Sequence, residues 1–306
     1  MNPPEVLILG TGALACLFAA RLVANGIPVT MLGSWQAALQ ALSEHGVALT
    51  TLDGERTVYP VRVTADPKQV QGVHHALVLV KAWQTERAAR QLQICLAGEG
   101  VALTLQNGWG NREILSQYLG VERVALGVTT LGATLLAPAD VRLAGEGIIS
   151  LGAHPRLATL VTYLQRAGFS VEISSKTEDL LWGKLLINAA INPLTALLGV
   201  PNGELLHRPT AVELMRRAAH EVASVAKAQG IDLPYADPAE KVAAIARQTA
   251  ENLSSMLQDV RRGAPTEIDA ICGAVVRVAR QAGLETPTLE AFWLLVKALV
   301  ENHQER

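Results

Sequence analysis

A single turn between an apolar segment and a helix constrains the possible folds of this chain more than any other feature. Residues 5–9 read EVLIL, which is typical of a buried strand, and GTGALA (10–15) follows at once and opens a helical segment. Glycines allow a tight turn and the close approach of a phosphate, and a small third residue lets the helix pack on the strand. Backbone amides at the start of the helix attract an anion. The turn therefore predicts a dinucleotide site. Its predicted contact residues are Gly10, Thr11, Gly12, Ala13, Leu14 and Ala15.

Short apolar runs alternate with helical segments throughout the first half of the chain. They have the length and composition of strands that are covered on both faces. These runs occupy residues 28–32, 76–80, 101–105 and 123–128. The runs at 47–51 and 57–64 flank the turn-like LDGE and predict a hairpin. The alternation indicates an α/β fold with an N-terminal, Rossmann-type doubly wound sheet.

The second half of the chain has a different pattern. From Thr177 onward the apolar residues recur at spacings of three and four, which predicts helices. We predict a dinucleotide-binding domain over residues 1–174 and an all-helical, C-terminal substrate and catalytic domain over residues 175–306. A cleft between two such domains is a natural place for a substrate.

Composition excludes several classes of function. The formal net charge of the 306 residues is −2, which argues against a general nucleic-acid binder. The three cysteines are isolated from one another, so we expect neither a zinc site nor a disulfide framework. The N-terminus lacks the basic and apolar regions of a signal peptide, and polar residues interrupt the apolar run near residue 190. We expect a soluble, cytoplasmic protein without metal, nucleic-acid or membrane partners.

The stretch WGKLLINAAINPLT (182–195) carries a polar stripe through an otherwise apolar helical segment. Lys184, Asn188 and Asn192 recur at intervals of four. A helix turns by about 100° per residue, so the three lie nearly in line on one face. Burying them without partners would cost on the order of 1–3 kcal/mol each. Because Pro193 disfavours helical geometry in the residue before it, the helix is predicted to end or kink at Asn192.

A second polar group lies downstream of the stripe. In AENLSSMLQD (250–259), Asn252 and Ser255 are three residues apart and are predicted to share a helix face. Ser254 and Asp259 are nearby alternatives.

PTEIDAICGAVV (265–276) is predicted to begin a further helix, with Glu267 and Asp269 in its first turn, where acids also suit the helix dipole. A lysine, a glutamate, amides and a hydroxyl, together with a nicotinamide, suit the reduction of a polar carbonyl compound. Hydride delivery builds negative charge on the carbonyl oxygen, and an ammonium group can stabilise that charge and donate the proton.

Three further polar residues follow predicted strands. Lys81 and Asn107 each come just after an apolar run, and the ligand of an open parallel sheet lies beyond the carboxyl ends of its strands. Ser34, in LGSWQ (32–36), stands where an acid would bind the ribose 2′-hydroxyl or an arginine the 2′-phosphate. Because Ser34 can hydrogen-bond to either group, these residues leave NADH and NADPH both open.

Taken together, these segments resemble the ketopantoate reductase (2-dehydropantoate 2-reductase) family. The segments that match are GTGALA, VKAWQ, QNGWGN, WGKLLINAAINPLTAL, PNGEL, AENLSSMLQD and TEIDAICGAVV. They are spread over nearly the whole chain, in the order and spacing of that family. The resemblance implies NADPH-dependent reduction of 2-dehydropantoate to (R)-pantoate, a step toward pantothenate and coenzyme A.

The resemblance also implies roles for individual residues. Lys184 would be the general acid at the C2 oxygen, and Glu267 would lie near the substrate hydroxyl and the nicotinamide. The positions that match substrate contacts of the family are Asn107, Asn188, Asn192, Asn202, Asn252 and Ser255. The positions that match the lining of the NADP(H) site outside the glycine turn are Ser34, Lys81, Asn107, Ala133 and Glu267.

The chain departs from the pattern of the family at two positions. Ser34 stands where the family commonly has an arginine, so the resemblance does not by itself imply a strict preference for NADPH. Lys81 can supply some of the missing positive charge. Cys272 stands where the family often has an asparagine.

Two alternatives stay open at the level of the sequence. One is a reductase of the same fold that acts on another branched 2-oxo acid, because the stripe suits a carboxylate and a carbonyl better than it defines the rest of a substrate. The other is a dinucleotide-binding sensor without turnover, which would not need both Lys184 and Glu267. For the assembly, both a monomer and a homodimer stay open.

Overall fold

The short apolar runs of the first half form strands, and the computed structural model describes residues 6–301 of the chain. In chain order the strands are β1 (Val6–Leu9), β2 (Val29–Leu32), β3 (Val47–Thr50), β4 (Arg56–Tyr59), β5 (Arg62–Thr64), β6 (Val73–Val78), β7 (Leu96–Thr104), β8 (Val124–Thr129), β9 (Gly132–Ala137), β10 (Asp140–Gly145), β11 (Ile148–Leu151) and β12 (Ser170–Ile173).

Eight of these strands build one sheet, in the order β12-β11-β8-β7-β6-β1-β2-β5. Every neighbouring pair from β8 to β5 is parallel. At the other edge β11 is antiparallel to β8 and parallel to β12. The order reverses at β1, which is the switch point where a doubly wound sheet binds its ligand. The predicted fold class is confirmed.

Both faces of this sheet are buried, as the continuous apolar runs predict. Along β1, Val6 and Ile8 belong to one core cluster, whereas Leu7 and Leu9 belong to another. The helices of this part of the chain are α1 (Ala13–Ala24), α2 (Gln36–His45), α3 (Thr85–Cys95), α4 (Asn111–Leu119) and α5 (Ala158–Arg166).

A smaller sheet has the order β4-β3-β10-β9 and includes the predicted hairpin of β3 and β4. The run 57–64 does not form one strand, however. It is divided at Pro60, and β5 beyond it pairs with β2 of the large sheet. Proline has no N–H to donate to a ladder, so it interrupts the strand and lets the chain change sheets.

The second half of the chain is helical, as its spacing of apolar residues predicts. Its helices are α6 (Thr177–Leu198), α7 (Pro209–Ala228), α8 (Pro238–Gln248), α9 (Ser255–Arg261), α10 (Cys272–Gln281) and α11 (Pro287–Glu301). Among the described residues, α6 alone is long and apolar enough to cross a membrane, and 72% of its most apolar stretch is buried inside the fold. Burial of this extent is what the core helix of a globular unit shows.

Contacts divide the chain into two compact units. The first comprises the chain up to Gln106 together with Asn111–Thr177, and the second comprises Asn107–Gly110 and the chain from Glu178 onward. The domain limits of 1–174 and 175–306 stay a prediction. A short segment after β7 is grouped with the helical unit, and it carries one of the predicted site residues, Asn107.

Pro193 does not end α6 at Asn192, contrary to one of the two predicted outcomes, because the helix continues to Leu198. A proline inside a helix leaves the carbonyl four residues earlier without its usual donor. Here that carbonyl belongs to Ala189, and the thiol of Cys272 donates to it over 3.8 Å.

Cys272 therefore has a structural function at the position where the family often has an asparagine. Burial and the nearby Glu221 raise the pKa of the Cys272 thiol, so it keeps the proton that it donates. All three cysteines are buried and free.

Candidate active site

The turn after β1 has the backbone geometry that its glycines predict. Gly10 has a φ of 124°, in the left-handed region that favours glycine. A Cβ on Gly10 would lie 3.0 Å from the carbonyl oxygen of Leu79, just after β6. Glycine is therefore required at this position both by conformation and by the close approach of the neighbouring strand end.

The start of α1 is open to a ligand. Gly12 is exposed, and a Cβ on it would meet nothing within 4 Å. Within the described residues no side chain caps α1, and its first turn holds no acid, so its first amides remain for an anion. Ala15 is fully buried, as the packing of helix on strand requires. These features fit the pyrophosphate of a dinucleotide.

The other predicted cofactor residues of this unit have well-defined places. Ser34 is exposed after β2, and Lys81 is partly buried before a single 3-10 turn, Ala82–Gln84, that follows β6. Ala133 lies in β9 and packs against the core cluster that includes α1 residues. In the glycine turn, Gly10, Thr11 and Ala15 are buried, Ala13 and Leu14 are partly buried, and Gly12 is exposed.

A buried network that the sequence does not predict anchors the segment around Lys81. The amide of Gln106 donates to the carbonyl of Val80 over 3.0 Å and to the hydroxyl of Thr85 over 2.8 Å. That hydroxyl lies 2.8 Å from the carbonyl of Ala82. A glutamine directly after a buried strand is the signal in the sequence that points to this network.

In the helical unit, Lys184, Glu267 and Asn107 form one polar group. Lys184 lies on α6, where the carboxylate of Glu267 acts on its charge. The side-chain amide of Asn107 donates to Glu267 over 3.4 Å. Glu267 is only 5% exposed, so its charge is held away from solvent. Three segments that are far apart in the sequence supply this group.

The Lys184 ammonium has the acidity of a proton donor that works near neutral pH. Burial lowers the pKa of Lys184 to about 8, and the Glu267 carboxylate partly offsets this effect. The side chain is then still protonated at neutral pH but gives up its proton more readily than an exposed lysine. Both properties suit a general acid.

Glu267 is not in the first turn of a helix, and neither is Asp269, so that prediction is wrong. Helix α10 begins only at Cys272. The carbonyl of Ala270 accepts the N–H of Trp109 over 2.9 Å. The chain around Glu267 forms a turn, and the 107–110 segment is bonded to this turn through the Ala270 carbonyl.

Gly108 allows the 107–110 segment to lie this close. It has a φ of 86°, and a Cβ on it would lie 2.6 Å from the carbonyl oxygen of Ala270. Next to it, the ring of Trp109 lies 5.3 Å from the ring of Trp182 on α6. These contacts fix the backbone that carries Asn107.

The predicted polar stripe of α6 is present on one continuous helix. Asn188 is partly buried, and Asn192 is only 7% exposed. Within the described part of the chain, neither side-chain amide makes a hydrogen bond. Both amides are therefore left for a ligand.

Asn252 and Ser255 do not share a helix face, so that prediction is also wrong. Helix α9 begins at Ser255, and Asn252 lies in the preceding turn, where its N–H donates to the carbonyl of Thr249 over 2.9 Å. The hydroxyl of Ser254 caps α9 by accepting the N–H of Leu257 over 3.1 Å. The cap fixes the start of the helix, and Asn252 comes before it.

Internal hydrogen bonds distinguish Ser255 from its two alternatives. The hydroxyl of Ser254 lies 2.7 Å from that of Thr195, and the buried carboxylate of Asp259 pairs with Arg262 over 2.8 Å. Among the described residues, none forms a hydrogen bond with the side-chain hydroxyl of Ser255. Ser255 is therefore the hydroxyl that a ligand can use.

Asn202 contributes to the shape of the same region through hydrogen bonds inside the fold. Its side-chain amide donates to the hydroxyl of Thr249 over 2.9 Å, and its backbone N–H donates to the carbonyl of Asn252 over 3.0 Å. The Oδ1 atom of Asn202 is buried and has no protein partner among the described residues. Asn202 thus holds the loop of Asn252 and keeps one acceptor for a ligand or a water molecule.

Two profiles of one family match most of the chain. "Ketopantoate reductase PanE/ApbA" matches residues 6–156, and "Ketopantoate reductase PanE/ApbA C terminal" matches residues 176–300. A 2-dehydropantoate 2-reductase of Archaeoglobus fulgidus is 35% identical over 305 residues, which cover 98% of this chain and 99% of the relative.

Two solved structures resemble this chain over nearly its full length. A PanE/ApbA family ketopantoate reductase from Ralstonia eutropha JMP134 has a TM-score of 0.91 and 31% identity, covering 98% of this chain and 99% of its own. A D-mandelate dehydrogenase solved with NADH and anilino(oxo)acetate has a TM-score of 0.89 and 25% identity, with the same coverage of 98% and 99%.

Proposed function

The chain belongs to the ketopantoate reductase family, and from this membership we propose that it reduces 2-dehydropantoate to (R)-pantoate with NADPH. It is an oxidoreductase, and the step leads toward pantothenate and coenzyme A. We also propose that it works in the cytoplasm, as a monomer or a homodimer, on a small-molecule substrate without nucleic-acid or membrane partners.

The charge interaction between the partly buried Lys184 and the buried Glu267 is the observation that carries the proposal. The bound nicotinamide supplies a hydride to the C2 carbon. As negative charge grows on the C2 oxygen, the Lys184 ammonium stabilises it and then donates the proton that completes the alcohol. A pKa of about 8 keeps Lys184 in the required protonated form at neutral pH.

The amides and the hydroxyl near this pair are proposed to hold the substrate. The side chains of Asn188, Asn192 and Ser255 form no hydrogen bonds with described residues. They therefore suit the binding of the carboxylate and hydroxyl oxygens of a 2-oxo acid. Glu267, with Asn107 as its donor, is proposed to accept a hydrogen bond from the substrate hydroxyl. Asn202 and Asn252 complete the set by shaping the loop before Ser255.

The proposed cofactor contacts combine backbone and side chains. Gly10, Gly12 and the amides at the start of α1 suit the pyrophosphate. The 2′-phosphate of NADPH is proposed to be bound by Ser34 and Lys81, where Lys81 replaces part of the charge of the arginine that the family commonly has after β2.

The rate of NADPH oxidation by the purified protein with 2-dehydropantoate tests this proposal. NADH and other 2-oxo acids are run in parallel. Fast turnover with 2-dehydropantoate and NADPH is the expected result. Turnover with NADH alone would keep the chemistry and contradict the proposed cofactor. Cofactor binding without turnover on any substrate would favour a sensor.

A reductase of another 2-oxo acid is the second candidate. It is favoured by the resemblance to the D-mandelate dehydrogenase that was solved with NADH, and by Ser34 in place of an arginine. Phenylglyoxylate, the 2-oxo acid that corresponds to mandelate, belongs in the substrate panel. A higher kcat/KM for phenylglyoxylate than for 2-dehydropantoate would select this candidate.

A further inference from the structure

Asp269 is an exposed acid in the same turn as the buried Glu267. Both residues lie before α10, so neither carboxylate belongs to the first turn of that helix. The turn presents one acid to the inside of the helical unit and the other to solvent. The charge interaction with Lys184 accounts for Glu267. The contacts of Asp269 show what the second acid does.

Two helices hold Asp269 by different atoms. The indole N–H of Trp293, on α11, donates to Oδ1 of Asp269 over 2.7 Å. The guanidinium of Arg277, on α10, donates to the backbone carbonyl of Asp269 over 2.9 Å. The ammonium of Lys297 lies 3.7 Å from the same Oδ1 atom. Both the side chain and the backbone of Asp269 are therefore fixed to the helices that follow the turn.

The ring of Trp293 has a defined position of its own. A Cβ on Gly273 of α10 would lie 2.8 Å from the Cε2 atom of Trp293, so the ring lies directly on the backbone of that helix. The cationic groups of Arg277 and Lys297 lie 5.9 Å and 5.7 Å from the centre of the ring, within the range of cation–π attraction. Because the ring is fixed, its N–H determines where the carboxylate of Asp269 can lie.

Backbone hydrogen bonds connect the position of Asp269 to that of Glu267. The carbonyl of Glu267 accepts the N–H groups of Ala270 and Ile271, each over 3.0 Å. Asp269 lies inside the loop that these two bonds close. A displacement of Asp269 would therefore disturb the backbone that carries the Glu267 side chain.

We propose that Asp269 is a positioning residue: by accepting the Trp293 indole N–H, it holds the turn so that the Glu267 carboxylate stays directed at Lys184. The inference rests on the proposed role of Lys184 as the general acid. Burial lowers the pKa of Lys184 to about 8, and Glu267 partly offsets this effect. If the carboxylate of Glu267 is displaced, the pKa of Lys184 falls further, and the acid loses its proton at a lower pH.

The pH profile of kcat/KM with 2-dehydropantoate and saturating NADPH tests the proposal, because it reports the protonation state of the enzyme before the substrate binds. In Asp269→Ala, kcat/KM at neutral pH should fall about 3- to 10-fold, the effect of losing roughly one hydrogen bond. The alkaline limb should move to lower pH by about 0.5–1 unit, part of the shift that a nearby charge produces. Trp293→Phe keeps a ring on Gly273 and removes the donor, so it should cause the same two changes.

Two further variants separate the hydrogen bond from the ion pair. Asp269→Asn keeps an oxygen that can accept the Trp293 N–H, so it should restore both the rate and the position of the alkaline limb. Lys297→Met removes the ammonium and keeps most of the apolar stem, and it is the matched control. It should change neither quantity, because an ion pair between two exposed side chains contributes little.

The experiment distinguishes a failure of this inference from a failure of the proposed function. If Asp269→Ala and Trp293→Phe, shown by circular dichroism to be folded, keep the alkaline limb of the unmodified protein, the positioning role is wrong and the acid role of Lys184 stands. If Asp269→Ala does not fold, Trp293→Phe decides the question alone. If the unmodified protein shows no turnover or no alkaline limb, the acid role of Lys184 fails, and the positioning role fails with it.

Discussion

The glycine turn of the first unit and the polar group of the helical unit are built in opposite ways. The turn consists of backbone: Gly10 with a φ of 124° and the open start of α1 at Gly12. The polar group consists of side chains, Lys184, Glu267 and Asn107, from three separate segments. The first site therefore depends on local conformation, and the second depends on tertiary contacts that place each side chain.

Lys184→Ala should have the largest effect, because neither Glu267 nor Asn107, the other members of the polar group, carries an ammonium that could replace it. Turnover of 2-dehydropantoate should fall about 10²- to 10⁴-fold, the range for losing a positioned acid. Folding should stay intact, since the burial that lowers the pKa of Lys184 disfavours its charge. Lys227→Ala, on the exposed end of α7, is the control. Turnover like that of the unmodified enzyme would remove Lys184 from the mechanism.

The pH profile sharpens the same point. A general acid must carry its proton, so the rate should fall about tenfold per pH unit as pH rises above about 8, the pKa of Lys184. The stability of the fold changes with pH in the opposite direction. The pKa in the folded chain is below the ordinary value of 10.5, so between about 8 and 10.5 the unfolded chain binds more protons. The contribution of this group to stability therefore rises with pH across that window.

Rate profiles and urea unfolding between pH 7 and 10 measure the two trends. In Lys184→Met, the free energy of unfolding should no longer show the rise with pH that Lys184 causes. A rate that stays constant through pH 9 in the unmodified enzyme would contradict the assignment of the acid.

Gly108→Ala tests whether backbone contacts also matter in the site that is made of side chains. A Cβ at this position would lie 2.6 Å from the carbonyl oxygen of Ala270 and should push Asn107 away from Glu267. We expect kcat/KM to fall about 10- to 50-fold, equivalent to about 1.4–2.3 kcal/mol. Gly54→Ala is a matched control, because Gly54 has a similar φ of 90° but open space around its Cβ. If kcat/KM falls equally in the two variants, the cause is the backbone strain that they share and not the contact with Ala270.

Ser34→Arg adds a side chain to the site that is made of backbone. A charged hydrogen bond to the 2′-phosphate should favour NADPH over NADH by about tenfold, while the pyrophosphate contacts of the turn stay the same. Kd values of both cofactors measure the ratio, with Ser34→Ala as the control. An unchanged ratio would mean that another residue recognises the 2′ position.

Thr195→Val should have the smallest effect, because it acts on the site through other residues. The Thr195 hydroxyl donates to the carbonyl of Asn192, so the Ser254 hydroxyl that lies 2.7 Å away must be the donor in that pair. Removing this link should raise KM about 3- to 10-fold, the cost of roughly one hydrogen bond, with little change in kcat. Thr195→Ser should restore KM. A loss in kcat without a change in KM would contradict a role of Thr195 in holding the loop before Ser255.

Much of the fold could be predicted because it depends on local rules. The glycine turn, the alternation of strands and helices, the helical second half and the stripe of α6 all follow from residue periodicity or from a required φ. The exceptions are places where a distant partner intervenes. Cys272 supplies a donor beside Pro193, Trp109 takes the carbonyl of Ala270, and the Ser254 cap fixes where α9 begins.

The sequence by itself determined the doubly wound sheet, the place of the dinucleotide turn and the line of polar residues on α6, because neighbouring residues alone set hydrophobic periodicity and backbone conformation. Only the tertiary structure decided which of those polar residues are available to a ligand. Off α6, Ser254 and Asp259 are committed to bonds inside the fold, whereas on α6 Asn188 and Asn192 keep their amides and the interaction of Lys184 with Glu267 belongs to a setting that lowers the pKa of the lysine. Burial and hydrogen-bond partners come from segments far apart in the chain, and no local pattern specifies them.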